Sequence, residues 1–258
     1  MTVQCEVQDK VALLSLDDAQ RFNALSAALV RSALQALDAL KTQDVRAIVV
    51  TGRGRFFCAG ANIHDLHTGA WLSDKPHPDN PVSLFEALAQ HRLPVIAAIN
   101  GPALGGGFEL ALSCDLAVMA SNAYLSTPEL GLGVIPNTAM ARLPALIGER
   151  RALEIMYTRR KVSATEALSL GLVNQLLDPE EVLPAALKLA QTVIQGVPPG
   201  ALAELKHSVS RQHATDWQEV RACLSRLPPE QWQEGLSAFV EKRAPQYERF
   251  WQAGVERG

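Results

Sequence analysis

Aromatic side chains are scarce in this 258-residue chain: seven Phe, four Trp and three Tyr, 5% of the total. That is too few for a surface on which nucleic-acid bases stack. Basic residues are not in excess either. Against 27 Asp and Glu stand 24 Lys and Arg, a net charge of −3 that offers no broad field to RNA, DNA or an anionic membrane. Cysteine is sparse, and Cys5, Cys58, Cys114 and Cys223 contain no Cys-x-x-Cys pair, which argues against a zinc or redox motif and for free thiols. Long apolar runs are missing too. The most apolar stretch, Leu93 to Ala120, is broken by Pro94, Asn100, four glycines, Glu109 and Asp115, so it cannot span a bilayer. Residues 1–10 carry Glu6 and Asp9 and no apolar signal core. The expectation is a soluble, cytoplasmic protein with neither nucleic acid nor membrane as partner.

What is present is globular: 48% hydrophobic and 20% charged. Asp9-Lys10 reads as a hairpin turn ahead of the apolar run Val11 to Leu16. Ser26 is placed to cap a helix with Leu29, Ala33, Leu37 and Leu40 on one face. Strands are predicted at Val45 to Val50, Val95 to Ile99 and Leu116 to Ala120, with helices at Ser83 to His91 and Gly106 to Ser113. That alternation predicts an α/β fold with parallel pairing. From about Pro179 strand signals stop, and Glu180 to Gln195, Gly200 to Arg211, Asp216 to Arg226 and Glu234 to Trp251 read as helices. Trp71 to Pro81, with three prolines, reads as a mobile surface loop.

The chemistry concentrates between Leu93 and Ala141, a stretch without Lys, Arg or His. Its only charged side chains are Glu109, Asp115 and Glu129. A buried carboxyl group without a basic partner is pushed toward its neutral form, which suits general acid–base work near neutrality. Gly105-Gly106-Gly107 directly precedes Glu109 and lets a ligand approach free N–H groups at a helix start. Such donors suit a developing oxyanion, and the turn around Phe57 to Asn62 could supply another. Plainer readings stand beside these: an ordinary tight turn at the glycines, a solvent-facing Glu109 and a first-turn Glu129. Asp115 reads as a structural turn residue. His64, Asp65 and His67 lack a further ligand at a defined spacing, so no metal site is expected.

Several segments, in order, resemble the enoyl-CoA hydratase/isomerase (crotonase) superfamily, most closely its hydratases. They are Phe22-Asn23-Ala24-Leu25, Ala47 to Gly52, Phe57-Cys58-Ala59-Gly60-Ala61-Asn62-Ile63, and Pro94 to Gly101. They continue with Ala103 to Leu110, Pro128-Glu129-Leu130-Gly131-Leu132-Gly133, Ser163-Ala164, Gly171-Leu172-Val173 and Glu234 to Phe239. The resemblance implies a spiral of ββα units over residues 1–195 and a helical C-terminal oligomerisation region over 196–258. It implies a homotrimer or a dimer of trimers, and an acyl-CoA thioester as substrate rather than cofactor, with no cofactor or metal required.

By the same resemblance the thioester carbonyl would sit on the N–H groups of Ala59 and Gly106, with Glu109 and Glu129 as the catalytic pair of a hydratase. Glu109 would activate water for C3, and Glu129 would protonate C2. Arg55, Ala61, Asn62, Ile63, Gly105 and Lys242 are expected to line the substrate and CoA site, with Lys242 or Arg243 reaching a neighbouring subunit's CoA. Asn62 stands where Asp is common, and Thr127 where Gln is common. Asn137-Thr138-Ala139-Met140 stands where a glycine-rich stretch is common, and Arg159-Arg160 also departs from the pattern. These departures leave room for a Δ3-Δ2 enoyl-CoA isomerase or another crotonase-type reaction, or for a non-catalytic CoA-ester or RNA-binding relative.

Overall fold

The computed structural model describes residues 2–72, 77–212 and 214–255. Strands β1 (Thr2–Gln8) and β2 (Val11–Asp17) form an antiparallel hairpin. Asp9 and Lys10 both take positive φ there, the handedness that a two-residue hairpin turn requires. Ser26 then caps α1 (Ala27–Ala39) by accepting from the Leu29 N–H, and Leu29, Val30, Ala33 and Leu37 are buried. Next comes β3 (Ala47–Gly52), two residues later than its apolar run suggests, because pairing with β2 sets its register from Val11↔Ala47. Short α2 (Ile63–His67), then α3 (Pro81–Ala89), lead to β4 (Val95–Ile99).

The chain now shuttles between two sheets. β5 (Ala103–Leu104) leaves the main sheet, α4 (Gly106–Leu112) follows, and β6 (Leu116–Ala120) returns to it. β7 (Tyr124–Ser126) goes out again, followed by α5 (Asn137–Ile147), α6 (Glu149–Thr158), β8 (Val162–Ser163), α7 (Ala164–Ser169) and β9 (Gln175–Leu177). The main sheet has the order β1-β2-β3-β4-β6-β9, and the small one β5-β7-β8. All of the main sheet except β1 pairs parallel, with β3 and β4 buried along their whole length. This is the mixed α/β architecture with parallel pairing that the sequence predicts.

Helices α8 (Val182–Ile194), α9 (Pro199–Gln212), α10 (Trp217–Ser225), α11 (Pro229–Val240) and α12 (Glu248–Val255) complete the described chain. The single helix expected over Glu234 to Trp251 is in fact two. Lys242 adopts a left-handed φ of 55°, and Pro245 can neither donate its N–H nor leave Ala244 free to be helical. The C-terminal helices share the main core: Trp217 and Val220 are buried with the strands.

The segment expected as a mobile loop is anchored at both ends. Trp71 and Leu72 are buried in a second apolar cluster with Leu66, Val134, Cys223, Leu224 and Leu236. At the other end Asp79 is buried and paired with Arg31, and Asn80 caps α3. Loop composition hid this, because packing partners for Trp71 come from α10 and α11 far along the chain. Residues 73–76 of that segment lie outside the described residues. Among the described residues no helix is long and apolar enough to cross a membrane.

Candidate active site

Glu109 lies in the first turn of α4, which starts at a glycine because the backbone is crowded. A Cβ on Gly107 would stand 2.1 Å from the Cys58 carbonyl oxygen, so no side chain fits. The turn before α4 is equally tight. Gly105 has φ 51° and donates its N–H to the Ser126 carbonyl at 2.8 Å. A Cβ on it would come within 2.6 Å of Glu129 Oε1. The missing side chain at Gly105 is what lets the Glu129 carboxyl group lie against the start of α4.

The Glu109 side chain is buried, 5% exposed, and its Oε1 accepts two N–H groups, from Thr138 at 2.7 Å and Ala139 at 2.9 Å. Both belong to the first turn of α5, where helical N–H groups have no partner within the helix. Burial pushes the Glu109 carboxyl up to about 7, against the opposing pull of those two donors. Asn137 braces the arrangement: its Oδ1 also accepts from the Thr138 N–H, at 2.9 Å, and its Nδ2 donates to the Val220 carbonyl at 2.8 Å. Arg142, further along α5, donates to the Leu112 carbonyl at 2.8 Å and so ties α5 to the end of α4.

Glu129 opens a 3-10 turn over Glu129–Leu132, and its Oε2 is buried without a hydrogen-bond partner among the described residues. Burial first, then the charge of Glu109, raises its carboxyl well above the ordinary glutamate value. The two glutamates therefore differ: Glu109 ionises near neutrality, and Glu129 keeps its proton longer. A pair tuned apart in this way can supply one base and one acid at the same pH.

The backbone donors need one correction. The Ala59 N–H donates to the Phe22 carbonyl at 3.0 Å, so it is not available to a ligand. Phe22 reaches that position through a left-handed turn, φ 55°, which brings its carbonyl round to residue 59. The N–H groups of Ala61 and Gly106 have no acceptor among the described residues, and they are neighbours: a Cβ on Gly106 would stand 3.2 Å from the Ala61 nitrogen. Their closeness depends on Gly60, φ 96°, whose own Cβ position is 3.2 Å from the Gly106 nitrogen. Two unpaired donors side by side can hold one oxyanion.

Of the other expected residues, Asn62 caps α2, accepting from His64 and Asp65, and Ile63 packs on the second apolar cluster. Arg55 is exposed, its guanidinium 4.9 Å from the Phe22 ring centre and 5.8 Å from that of Phe56. Lys242 is exposed at the break between α11 and α12. Neither is linked to the carboxylate pair by a hydrogen bond among the described residues. Asp115 is structural: it accepts the Val95 N–H at 2.7 Å and pairs with Lys206 of α9 at 2.8 Å. The Asp65 carboxylate is used on the Ala27 N–H at 2.9 Å, and among the described residues no cluster could hold a metal ion. Sequence reading missed the N–H pair of Thr138 and Ala139, although Pro136 marks a helix start at which such donors lie free.

Comparison with known proteins fits this geometry. The sequence pattern of the Enoyl-CoA hydratase/isomerase family matches residues 6–250. A Bacillus subtilis protein carrying the enoyl-CoA hydratase/isomerase name is 38% identical over 250 residues, covering 93% of this chain and 95% of that one. The crotonyl-CoA hydratase of Syntrophomonas wolfei is 32% identical over 248 residues, covering 92% and 94%. Among solved structures, methylmalonyl-CoA decarboxylase in complex with 2-nitronate-propionyl-CoA superposes with a TM-score of 0.83 at 27% identity, covering 95% of this chain and 98% of that one.

Proposed function

Because this chain belongs to the enoyl-CoA hydratase/isomerase family, we propose that it adds water across the 2,3 double bond of a trans-2-enoyl-CoA to give a 3-hydroxyacyl-CoA. The observation that carries this reading is the buried pair Glu109 and Glu129, unequal in their hold on a proton, at the start of α4 where two N–H groups are unpaired. The thioester oxygen binds the N–H groups of Ala61 and Gly106. Ionised Glu109 takes a proton from water as the water oxygen bonds to C3. The π electrons of the double bond move toward the thioester oxygen, and the two N–H groups stabilise the enolate. Neutral Glu129 then delivers its proton to C2. Proton transfer from Glu109 back to Glu129 resets the pair, so no metal or redox group is called for.

Exposed Arg55 is suited to a CoA phosphate, and Lys242 to the CoA of a neighbouring copy. Assembly of such copies, as a trimer or a dimer of trimers, is supported by the exposed apolar side chains Phe239, Val240 and Trp251 on the C-terminal helices.

A second reading draws on the likeness to methylmalonyl-CoA decarboxylase: loss of CO2 from a carboxyacyl-CoA, using the same oxyanion donors. Against it stands the charge of Glu109, which would repel a substrate carboxylate in a buried site. Isomerisation of a 3-enoyl-CoA needs only one base and leaves the second glutamate idle. The deciding assay is loss of the conjugated-thioester absorbance with crotonyl-CoA and longer trans-2-enoyl-CoAs. Turnover is expected, and none at any chain length would overturn the reading. Methylmalonyl-CoA and 3-enoyl-CoA in parallel assays test the other two.

A further inference from the structure

The two carboxyl groups of the site differ in what holds them. Glu109 accepts two N–H groups from α5. Among the described residues no other residue donates to the Glu129 carboxyl, so its place depends on the backbone that carries it. That backbone is the short 3-10 turn Glu129–Leu132. It is closed by the Gly131 N–H on the Pro128 carbonyl at 2.9 Å and the Val134 N–H on the Glu129 carbonyl at 3.2 Å. A single turn of this kind has poor hydrogen-bond geometry, and its stiffness has to come from what it packs on.

The support is α11, and two glycines let it come close. A Cβ on Gly133 would stand 2.6 Å from the Gln231 carbonyl oxygen and 2.9 Å from Trp232 Cα. A Cβ on Gly235 would stand 2.2 Å from the Leu132 carbonyl oxygen. Turn and helix thus meet backbone to backbone. The bare position at Gly235 also admits the tip of Tyr247, whose hydroxyl oxygen lies 2.1 Å from where that Cβ would be. From there the hydroxyl donates to the Gly131 carbonyl, inside the turn, at 3.1 Å. Tyr247 belongs to the irregular stretch between α11 and α12, yet that stretch is fastened. Glu234 of α11 accepts from Arg243 at 2.6 Å and from the Gln246 N–H at 2.8 Å, and it pairs with Arg249 at 3.4 Å. The chain is therefore tied down on both sides of Tyr247.

We propose that Tyr247 is a positioning residue for the acid of the pair: its hydroxyl holds the Gly131 carbonyl and so fixes the turn that keeps the Glu129 carboxyl against Gly105. This rests on the hydratase reading. Glu129 has to meet C2 while the thioester oxygen sits on the Gly106 N–H, one residue from Gly105. A misplacement of about 1 Å at such a point can cost a hundredfold in rate. A phenol suits the task, because a rigid ring carries one donor to the carbonyl and adds no charge beside the carboxyl pair. The C-terminal helices then serve the chemistry within their own chain.

Tyr247→Phe keeps the ring and removes only the donor. It is expected to lower kcat for crotonyl-CoA about fivefold, the value of one hydrogen bond, with KM within about twofold. Melting temperature should stay within about 4 °C of wild type. In a Glu129→Gln background the same substitution should change the residual rate less than about twofold, because the group it places is already disabled. Tyr157→Phe, at an exposed position on α6, is the control and should leave the rate unchanged.

Infrared difference spectroscopy gives a readout independent of turnover. Neutral Glu129 should show a protonated-carboxyl stretch, assigned by its loss in Glu129→Gln. That band should shift or broaden in Tyr247→Phe and stay as it is in Tyr157→Phe. An unchanged kcat, an unchanged band, or an equal loss of rate in the Glu129→Gln background would each overturn the proposal. If the wild type hydrates no enoyl-CoA, the hydratase reading fails by itself. The band then still decides whether Tyr247 sets the Glu129 carboxyl.

Discussion

The wall of the site that carries Glu109 and the wall that carries Glu129 are built differently. Glu109 stands on a helix, and its carboxylate closes the N-terminus of a second helix, α5, through two N–H donors. Glu129 stands on a single 3-10 turn and leans on the bare backbone of Gly105, with one oxygen unpartnered. Both walls disfavour a buried negative charge, but the first offsets part of that cost through its two N–H donors, and the second adds the charge of Glu109 to it. Two identical side chains thus receive unequal surroundings, the condition under which one residue type can serve as both base and acid.

The most severe test of this contrast is to neutralise each wall. Glu109→Gln and Glu129→Gln are each expected to slow enoyl-CoA hydration about a hundredfold or more, read by steady-state turnover. The double variant should lose little beyond the worse single one, because the two act as a unit. A near-silent substitution would reduce its wall to scaffolding.

Acidity comes next. Below about pH 7 Glu109 takes up a proton, so kcat/KM should fall about tenfold per pH unit on the acid side. The same shift affects folding. Glu109 holds its proton more tightly folded, at about 7, than unfolded, at about 4.3, so its neutral form stabilises the fold at low pH. That contribution is lost as pH rises from about 4.3 to about 7. Urea unfolding at pH 5 and pH 8 should therefore show the wild type losing ground against Glu109→Gln as pH rises.

A third comparison removes the oxygens altogether. Glu109→Leu strands the Ala139 N–H, leaves the Thr138 N–H only the Asn137 Oδ1 acceptor, and should cost about 1–3 kcal/mol in unfolding free energy. Glu129→Leu strands at most its own N–H and should stay within about 1 kcal/mol of wild type. Equal losses would mean that the walls are alike. The smallest effect is expected from Gly105→Ala. Its Cβ must displace Glu129 Oε1 from 2.6 Å, and the backbone is held at φ 51°. Strain of about 1 kcal/mol and a rate loss of no more than about tenfold should follow, without loss of α5.

How much of this could be read in advance follows the range of the interactions. The strands of the main sheet, the Ser26 cap and the Asp9-Lys10 turn are local, and apolar runs and turn residues announce them. The Glu109 and Glu129 pair was legible as an absence, since no basic residue lies within the surrounding stretch of sequence. The identity of the free backbone donor was not. Whether Ala59 or Ala61 has a spare N–H depends on where the Phe22 carbonyl ends up, and that is set by a turn far earlier in the chain. The burial of Trp71 was equally hidden, because α10 and α11 supply its cover. Lys206 reaching Asp115 belongs with these, joining α9 to the edge of β6 across a long stretch of sequence.

The bond from Asn137 to the Val220 carbonyl has a bearing on the order in which this protein comes into being. Synthesis delivers the N-terminal part first, and strands as far as β6 can pair while later residues are still being added. Glu109 is among those early residues, yet the residue that braces its partner helix is held by a carbonyl of α10. The buried carboxyl pair is thus set late: a nascent chain can have its sheet in place and still lack the finished surroundings of Glu109 until α10 has emerged and docked.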